Sequence, residues 1–239
     1  MLRGQRLGTI MLVADGVGSG AGREASRIAV ETIARYVSST LRCYDAAGSH
    51  REEELLEALR GAAFEAHAAV RQGAAEREAS EPLKHGMATT LTLATIVFPL
   101  MYVVQVGDSR CYYYWDGELR QITRDQTLAQ DLVDKGVLPK ERAAASPFSH
   151  VLASAIGGQE ASPVVSRIDI SHRGCVILLC SDGLTKHVSD AEIGAEIGRM
   201  SSAEQVCRRL LDLALERGGS DNITVLAGTA PLKDRSSGG

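Results

Sequence analysis

The apolar residues of this chain follow two different spacings, and the spacing changes in blocks along the sequence. An apolar run typical of a strand covers residues 7–14, and helical spacing follows over 20–41 and 51–79. Ser49 followed by Glu52 is a capping-box signature for the second helix. The apolar positions at helical spacing in that helix are Leu55, Leu56, Leu59, Ala63, Ala66 and Val70. Each helix therefore has one apolar stripe to bury.

The middle of the chain has the character of antiparallel strands. Strand-like runs cover 88–98, 101–106 and 110–115, and the last returns through Asp116-Gly117 into 119–122. Asp-Gly between two strands predicts a tight hairpin, because both residues tolerate positive φ.

The last third contains further strands and helices, again in blocks and not in strict alternation. The pattern predicts a short helix at 128–135, an irregular segment to residue 149, strands at 164–170, 175–180 and 223–227, and helices that begin at Ser189 and at Ser201 or Ser202. Glu192 and Glu204 supply capping boxes for Ser189 and Ser201. The blocks predict an α+β fold, with helix pairs covering a sandwich of antiparallel sheets.

Composition narrows the class of protein. With 239 residues, 44% of them hydrophobic and 23% charged, the chain fits one globular domain, which we place at 1–230 with a loose tail at 231–239. A net charge of −4 without a basic cluster disfavours nucleic acid. The longest apolar stretch, 91–106, is interrupted by Pro99 and is too short for a membrane helix. Five widely spaced cysteines predict reduced thiols, and we expect a cytoplasmic protein.

Four aspartates stand where apolar strands end or begin. Asp15, Asp108 and Asp182 follow strand-like runs, and Asp221 precedes the last one. In an antiparallel sheet the end of one strand lies beside the start of its neighbour, so these carboxylates would meet at one edge. Crowded carboxylates repel, and a hard divalent cation relieves that repulsion. Oxygen ligands without histidine or cysteine favour Mg²⁺ or Mn²⁺.

Asp-Gly is above all a turn dipeptide, and Asp116-Gly117 shows that ordinary use. Taken singly, Asp15-Gly16 and Asp182-Gly183 would be assigned to turns. The recurrence of an apolar strand followed by aspartate is what favours a metal site.

Five motifs then resemble one known family in order and spacing. They are VADGVGSGAGREAS at 13–26, GMATTL at 86–91, VGDSRCY at 106–112, CSDGLT at 180–185 and SDNITV at 220–225. The chain resembles the type-2C, or PPM-type, metal-dependent serine/threonine protein phosphatases, in a bacterial-like form.

The resemblance implies a role for each aspartate. Asp15 is similar to the carboxylate that bridges two metals, with the backbone carbonyl of Gly16 as a further ligand. Asp182 and Asp221 resemble ligands of one of these metals, and Asp108 resembles a ligand of a third, weaker one. The segment 131–149 resembles a variable flap beside the site.

The resemblance also implies the chemistry. A hydroxide bridging two Mn²⁺ or Mg²⁺ ions would attack phosphorus in line, without a phosphoenzyme, and release phosphate from phosphoserine or phosphothreonine in proteins. The expected partners are phosphorylated proteins and a cognate bacterial serine/threonine kinase, with neither nucleic acid nor membrane.

One expected part of the family pattern is missing. Only fourteen residues precede Asp15, and a strand carrying a phosphate-binding arginine and an acidic residue is not among them. Arg3 and Arg6 fit a solvated lead-in better than that role. We therefore expect the family's N-terminal strand to be missing, which would leave a sheet edge open.

The missing motif leaves alternatives beside the active enzyme. One is a catalytically impaired member that binds phosphoproteins or partners, and another is a phosphohydrolase for small phosphate esters. Lys186 and His187, next to CSDGLT, could supply a phosphate contact or a proton donor, but exposed loop positions account for them better, as a surface position does for His85. Val17 stands where some eukaryotic relatives have a histidine.

Overall fold

A computed structural model describes residues 9–18, 20–47, 52–79, 86–172 and 174–229. The strands are β1 (Thr9–Val13), β2 (Gly16–Val17), β3 (Ala88–Thr89), β4 (Leu91–Val97), β5 (Leu100–Val106), β6 (Arg110–Trp115), β7 (Glu118–Gln121), β8 (Val164–Asp169), β9 (Val176–Cys180) and β10 (Val225–Thr229). The helices are α1 (Ala21–Ala47), α2 (Glu52–Glu78), α3 (Leu128–Asp134), α4 (Asp182–Thr185), α5 (Asp190–Arg199) and α6 (Ala203–Glu216), with a 3₁₀ turn at Lys140–Arg142.

Two four-stranded antiparallel sheets face each other at the centre of the molecule. Their strand orders are β1-β4-β5-β8 and β10-β9-β6-β7. Met11 and Val103 of the first sheet pack against Ile177 and Leu179 of the second. Helices α1 and α2 cover the outer face of the first sheet, and α4, α5 and α6 cover the second. The predicted α+β sandwich, with helices outside both antiparallel sheets, is confirmed.

The Asp116-Gly117 hairpin is confirmed in detail. Asp116 has φ of 50° and Gly117 has φ of 83°, and Trp115 pairs with Glu118 across the turn. Positive φ at both central residues is the type I′ geometry, whose twist matches that of the flanking strands. The sequence signal and the backbone agree here because a tight turn depends on only two residues.

Several predicted boundaries differ from the structure for identifiable reasons. Helix α1 continues six residues past the predicted end at 41, up to the residue before Gly48, and packs along α2. The predicted strand 88–98 is divided at Thr90, which hydrogen-bonds both backbone groups of Asp15. The last strand is displaced, covering Val225–Thr229 instead of 223–227.

The helix caps separate a correct prediction from a wrong one. Ser189 and Glu192 form the predicted capping box at α5. At α6 the N-cap is Ser202, whose side chain accepts from the backbone N–H of Gln205, so the box assigned to Ser201 is wrong. The predictions for Ser49, Arg3, Arg6, His85 and the 231–239 tail concern residues outside the described ranges.

No helix in the described ranges is long and apolar enough to cross a membrane.

Candidate metal centre

Asp15 lies at the corner between β1 and β2, where the backbone is held on both sides. Its N–H donates to Thr90 Oγ1 at 2.9 Å, and its carbonyl accepts from Thr90 N at 2.9 Å and from Thr89 Oγ1 at 2.9 Å. These bonds satisfy backbone groups that a strand end leaves open. The carboxylate is therefore presented from a fixed backbone.

The same threonine connects Asp15 to the turn that carries Asp108. Thr90 Oγ1 lies 2.7 Å from Ser109 Oγ, and Thr92 Oγ1 donates to the Ser109 carbonyl at 2.7 Å. Asp108 follows β5 and is only 8% exposed. The network thus fixes two of the predicted ligands relative to each other.

Thr90→Val is expected to lower the free energy of unfolding by about 1–3 kcal/mol, because it leaves the Asp15 N–H without its acceptor in a largely buried place. Thr95→Val is the matched control, since the buried Thr95 hydroxyl has no hydrogen-bond partner in the described part of the chain. It should be neutral or stabilising. Urea denaturation of the two variants measures the difference, and equal stabilities would contradict the role assigned to Thr90.

Hydrogen bonds between the segment after β9 and the segment before β10 bring Asp182 and Asp221 together. Asp182 is the first residue of the short helix α4, which the sequence did not predict. Ser181 N–H donates to the Thr224 carbonyl at 3.1 Å, while Ser181 Oγ donates to the Asn222 carbonyl at 3.2 Å and accepts from Thr224 N at 3.0 Å. These bonds hold the segment after β9 against the segment before β10, where Asp221 lies.

Asp182 acts electrostatically on both Asp15 and Asp108, and Asp221 acts on Asp15. Burial, followed by repulsion from Asp182 and Asp221, raises the pKa of Asp15 to about 7. Burial, followed by repulsion from Asp182 and then from Asp125 and Asp15, raises the pKa of Asp108 to about 7. Both carboxylates are thus held close to other negative charge, where their ionised forms are disfavoured.

Lys186 lies inside this cluster. The sequence alone allowed two interpretations of this residue, a phosphate contact or an exposed loop position. Its Nζ is 2.8 Å from Asp182 Oδ2 and 2.6 Å from Asp221 Oδ2. Burial opposes the ammonium charge, but the two carboxylates outweigh burial and raise the Lys186 pKa. The Lys186 ion pair lowers the pKa of Asp221. The spacing of Asp182 and Lys186, four apart, was the available signal for this contact.

The oxygen donors of the four aspartates fit a hard divalent cation, although their carboxylates do not meet at one point. Asp182 Oδ1 is buried and has no hydrogen-bond partner among the described residues, so it is an acceptor without a donor. Asp15 approaches Asp182 closely enough to share a proton with it, and the two carboxylates repel each other when both are ionised. No three histidine, cysteine, aspartate or glutamate side chains of the described ranges meet as a ready metal-binding group. Asp182 and Asp221 each form an ion pair with Lys186.

An open cleft of about 960 Å³ lies over Asp108 and Asp182. Part of its lining comes from the predicted flap segment, and Lys140, His150 and Ser220 are among the lining residues. Polar and cationic groups therefore surround the carboxylates on the solvent side.

Two further side chains at this cleft have structural partners. Arg110 forms a bidentate pair with Asp125, with Nη2 2.7 Å from Asp125 Oδ2, and Nη1 donates to Tyr112 at 2.9 Å. His187 Nε2 accepts from the backbone N–H of Ser220 at 3.2 Å, beside Asp221. Both side chains support the segments that present the aspartates.

A family model described as Protein phosphatase 2C matches residues 2–217 of the chain. Serine/threonine protein phosphatase PstP of Mycobacterium tuberculosis is 36% identical over 218 residues, which cover 91% of this chain and 39% of that protein. The chain thus spans well under half the length of that relative. Serine/threonine phosphatase stp of Listeria monocytogenes is 31% identical over 91% of this chain and 82% of its own length.

A solved structure of the catalytic domain of PstP, in complex with two manganese ions, has the same fold. The TM-score is 0.71 with 31% sequence identity, and the match covers 97% of this chain and 94% of that chain.

Proposed function

The chain belongs to the protein phosphatase 2C family, and we propose that it hydrolyses phosphoserine and phosphothreonine in proteins with the help of bound Mn²⁺ or Mg²⁺. The observation that carries the proposal is the buried Asp182 Oδ1, an acceptor without a donor, among aspartates at the floor of an open polar cleft. We assign the whole of 1–230 to this phosphatase domain and place the protein in the cytoplasm, in keeping with its free cysteines.

The proposed ligand set is Asp15, Gly16, Asp108, Asp182 and Asp221. Asp15 would serve two ions, Gly16 would add its backbone carbonyl, and Asp108 would hold a third ion. Bound divalent cations supply Lewis acidity, which lowers the pKa of water and neutralises phosphoryl oxygens. An all-oxygen set in a cluster short of positive charge is what such hard cations prefer.

The protein itself positions the aspartates and leaves the substrate phosphate an open route to them. The threonine and serine hydrogen bonds described above fix the backbone that carries the aspartates before substrate arrives, which reduces the reorganisation needed at the moment of reaction. The substrate phosphate would enter from the open cleft, where water attacks phosphorus in line with the departing serine or threonine oxygen. No covalent phosphoenzyme is required. A cleft open to solvent also suits a phosphorylated side chain on a protein better than a small ester that needs enclosure.

Hydrolysis of an aryl phosphate by the purified full chain, measured against Mn²⁺ and Mg²⁺ concentration, tests the activity. Turnover should require the metal, should stop on chelation, and should be faster with phosphopeptides than with nucleotides or sugar phosphates. A preference for the small esters would contradict the protein substrate.

A phosphorylated partner protein, supplied by a cognate serine/threonine kinase, is part of the proposal. Absence of turnover at every Mn²⁺ or Mg²⁺ concentration, with metal binding intact by calorimetry, would favour a member that binds phosphoproteins without hydrolysing them.

A further inference from the structure

Among the described residues, Lys186 is the cation that contacts the proposed ligands, and its surroundings suggest a role beyond that of a loop residue. We infer that Lys186 is a built-in counter-ion that competes with the divalent metal for Asp182 and Asp221, weakening metal binding and stabilising the metal-free protein. The inference rests on the proposed function only in taking these two aspartates as metal ligands.

The backbone directs the lysine into the cluster. Lys186 ends α4, and its N–H donates to the Asp182 carbonyl at 2.8 Å, so its side chain starts one helical turn after Asp182. The side chain is 23% exposed, and its ammonium reaches both carboxylates at short distance. A partly buried charge is stabilised by partners of opposite charge, and here the partners are the proposed ligands.

The ammonium and a metal ion cannot use these oxygens in the same way at the same time. Asp182 Oδ2 and Asp221 Oδ2 both accept from Lys186 Nζ, and a doubly charged cation placed among them would lie within a few ångströms of the ammonium. Like charges at that separation in a partly buried place repel strongly. The lysine must therefore withdraw when the ion binds.

This exclusion has a thermodynamic consequence. An interaction made only by the metal-free protein stabilises that form and is lost on binding. Its loss makes the free energy of metal binding less favourable by the same amount. The flexible four-carbon stem of lysine allows the withdrawal, and the adjacent cleft receives the displaced ammonium. The chain would then need a higher metal concentration to fill its site than the carboxylates alone would require.

Calorimetric titration of Mn²⁺ into metal-free wild type, Lys186→Met and Lys140→Met tests the competition. Methionine keeps the length of the side chain and removes its charge. Lys186→Met should bind Mn²⁺ about tenfold or more tightly, the size of effect typical of groups that contact metal ligands. Lys140→Met is the matched control, since Lys140 lines the same cleft and has no ion pair with either aspartate in the described ranges. Its affinity should stay at the wild-type value.

Thermal unfolding provides the second readout, independent of turnover. Metal-free Lys186→Met should melt about 4 °C or more below wild type, and the rise on adding saturating Mn²⁺ should be larger than in wild type. Should this variant not fold without metal, Lys186→Gln, which keeps a hydrogen-bond donor, carries the same comparison.

The outcomes separate the two proposals. Unchanged or weaker Mn²⁺ binding by the Lys186 variants overturns the competition and leaves the metal site standing. Failure of wild type itself to bind Mn²⁺ overturns the metal site, and the competition with it.

Discussion

Asp182→Asn is expected to lower metal-dependent turnover by about a thousandfold or more, because the transition-state stabilisation that a metal supplies is worth several kcal/mol and each ~1.4 kcal/mol is a factor of ten. The carboxamide has nearly the size of the carboxylate but loses its charge. Asp182 contributes the buried Oδ1 that lacks a donor, and its charge acts on Asp15 and Asp108. Initial rates with a phosphopeptide at saturating Mn²⁺ give the measurement.

Asp116→Asn is the matched control for the same chemical change. Asp116 occupies the hairpin turn with φ of 50°, a conformation that asparagine also adopts readily. Its turnover should equal that of wild type. An Asp182→Asn variant within a factor of ten of wild type, with unchanged Mn²⁺ affinity, would remove Asp182 from the ligand set.

The features that followed from the sequence are those set by local chemistry and by order along the chain. The Asp116-Gly117 turn and the Ser189 capping box depend on residues close in sequence, and both were predicted correctly. The placement of Asp15 and Asp182 at strand ends followed from apolar runs stopping at an acidic residue. Five ordered motifs then implied which family and which aspartates to consider.

What could not be predicted depends on contacts between distant segments. The strand is divided at Thr90 because Thr90 hydrogen-bonds Asp15, 75 residues earlier. The strand propensities of residues 88–98 give no indication of this break. Helix α4 is only four residues long, too short for a periodic pattern to register. The contact of Lys186 with Asp221 depends on the hydrogen bonds of Ser181 that hold the two loops together. Only the other contact of Lys186, with Asp182 four residues earlier, is local in sequence.

The close approach of α4 to the segment before β10 makes Gly183 a glycine whose replacement should disturb the site. A Cβ built at Gly183 would lie 2.3 Å from the Asn222 carbonyl oxygen and 3.0 Å from its carbon, both backbone atoms beside Asp221. Alanine in place of a helical glycine ordinarily gains up to ~1 kcal/mol. Overpacking against atoms that cannot rotate away costs about 1–3 kcal/mol or more, so the net effect of Gly183→Ala is destabilising.

Gly183→Ala should also weaken Mn²⁺ binding by about tenfold or more, because relieving the contact moves Asp221 away from Asp182. Gly61→Ala in α2 is the matched control: its Cβ meets only the Tyr36 hydroxyl, at 3.3 Å, which leaves the helical gain largely intact. Urea denaturation and calorimetric Mn²⁺ titration of both variants separate the two effects. A Gly183→Ala protein as stable as Gly61→Ala, with wild-type Mn²⁺ affinity, would show that the two loops can part without disturbing the aspartates, and that the proposed site does not depend on their contact.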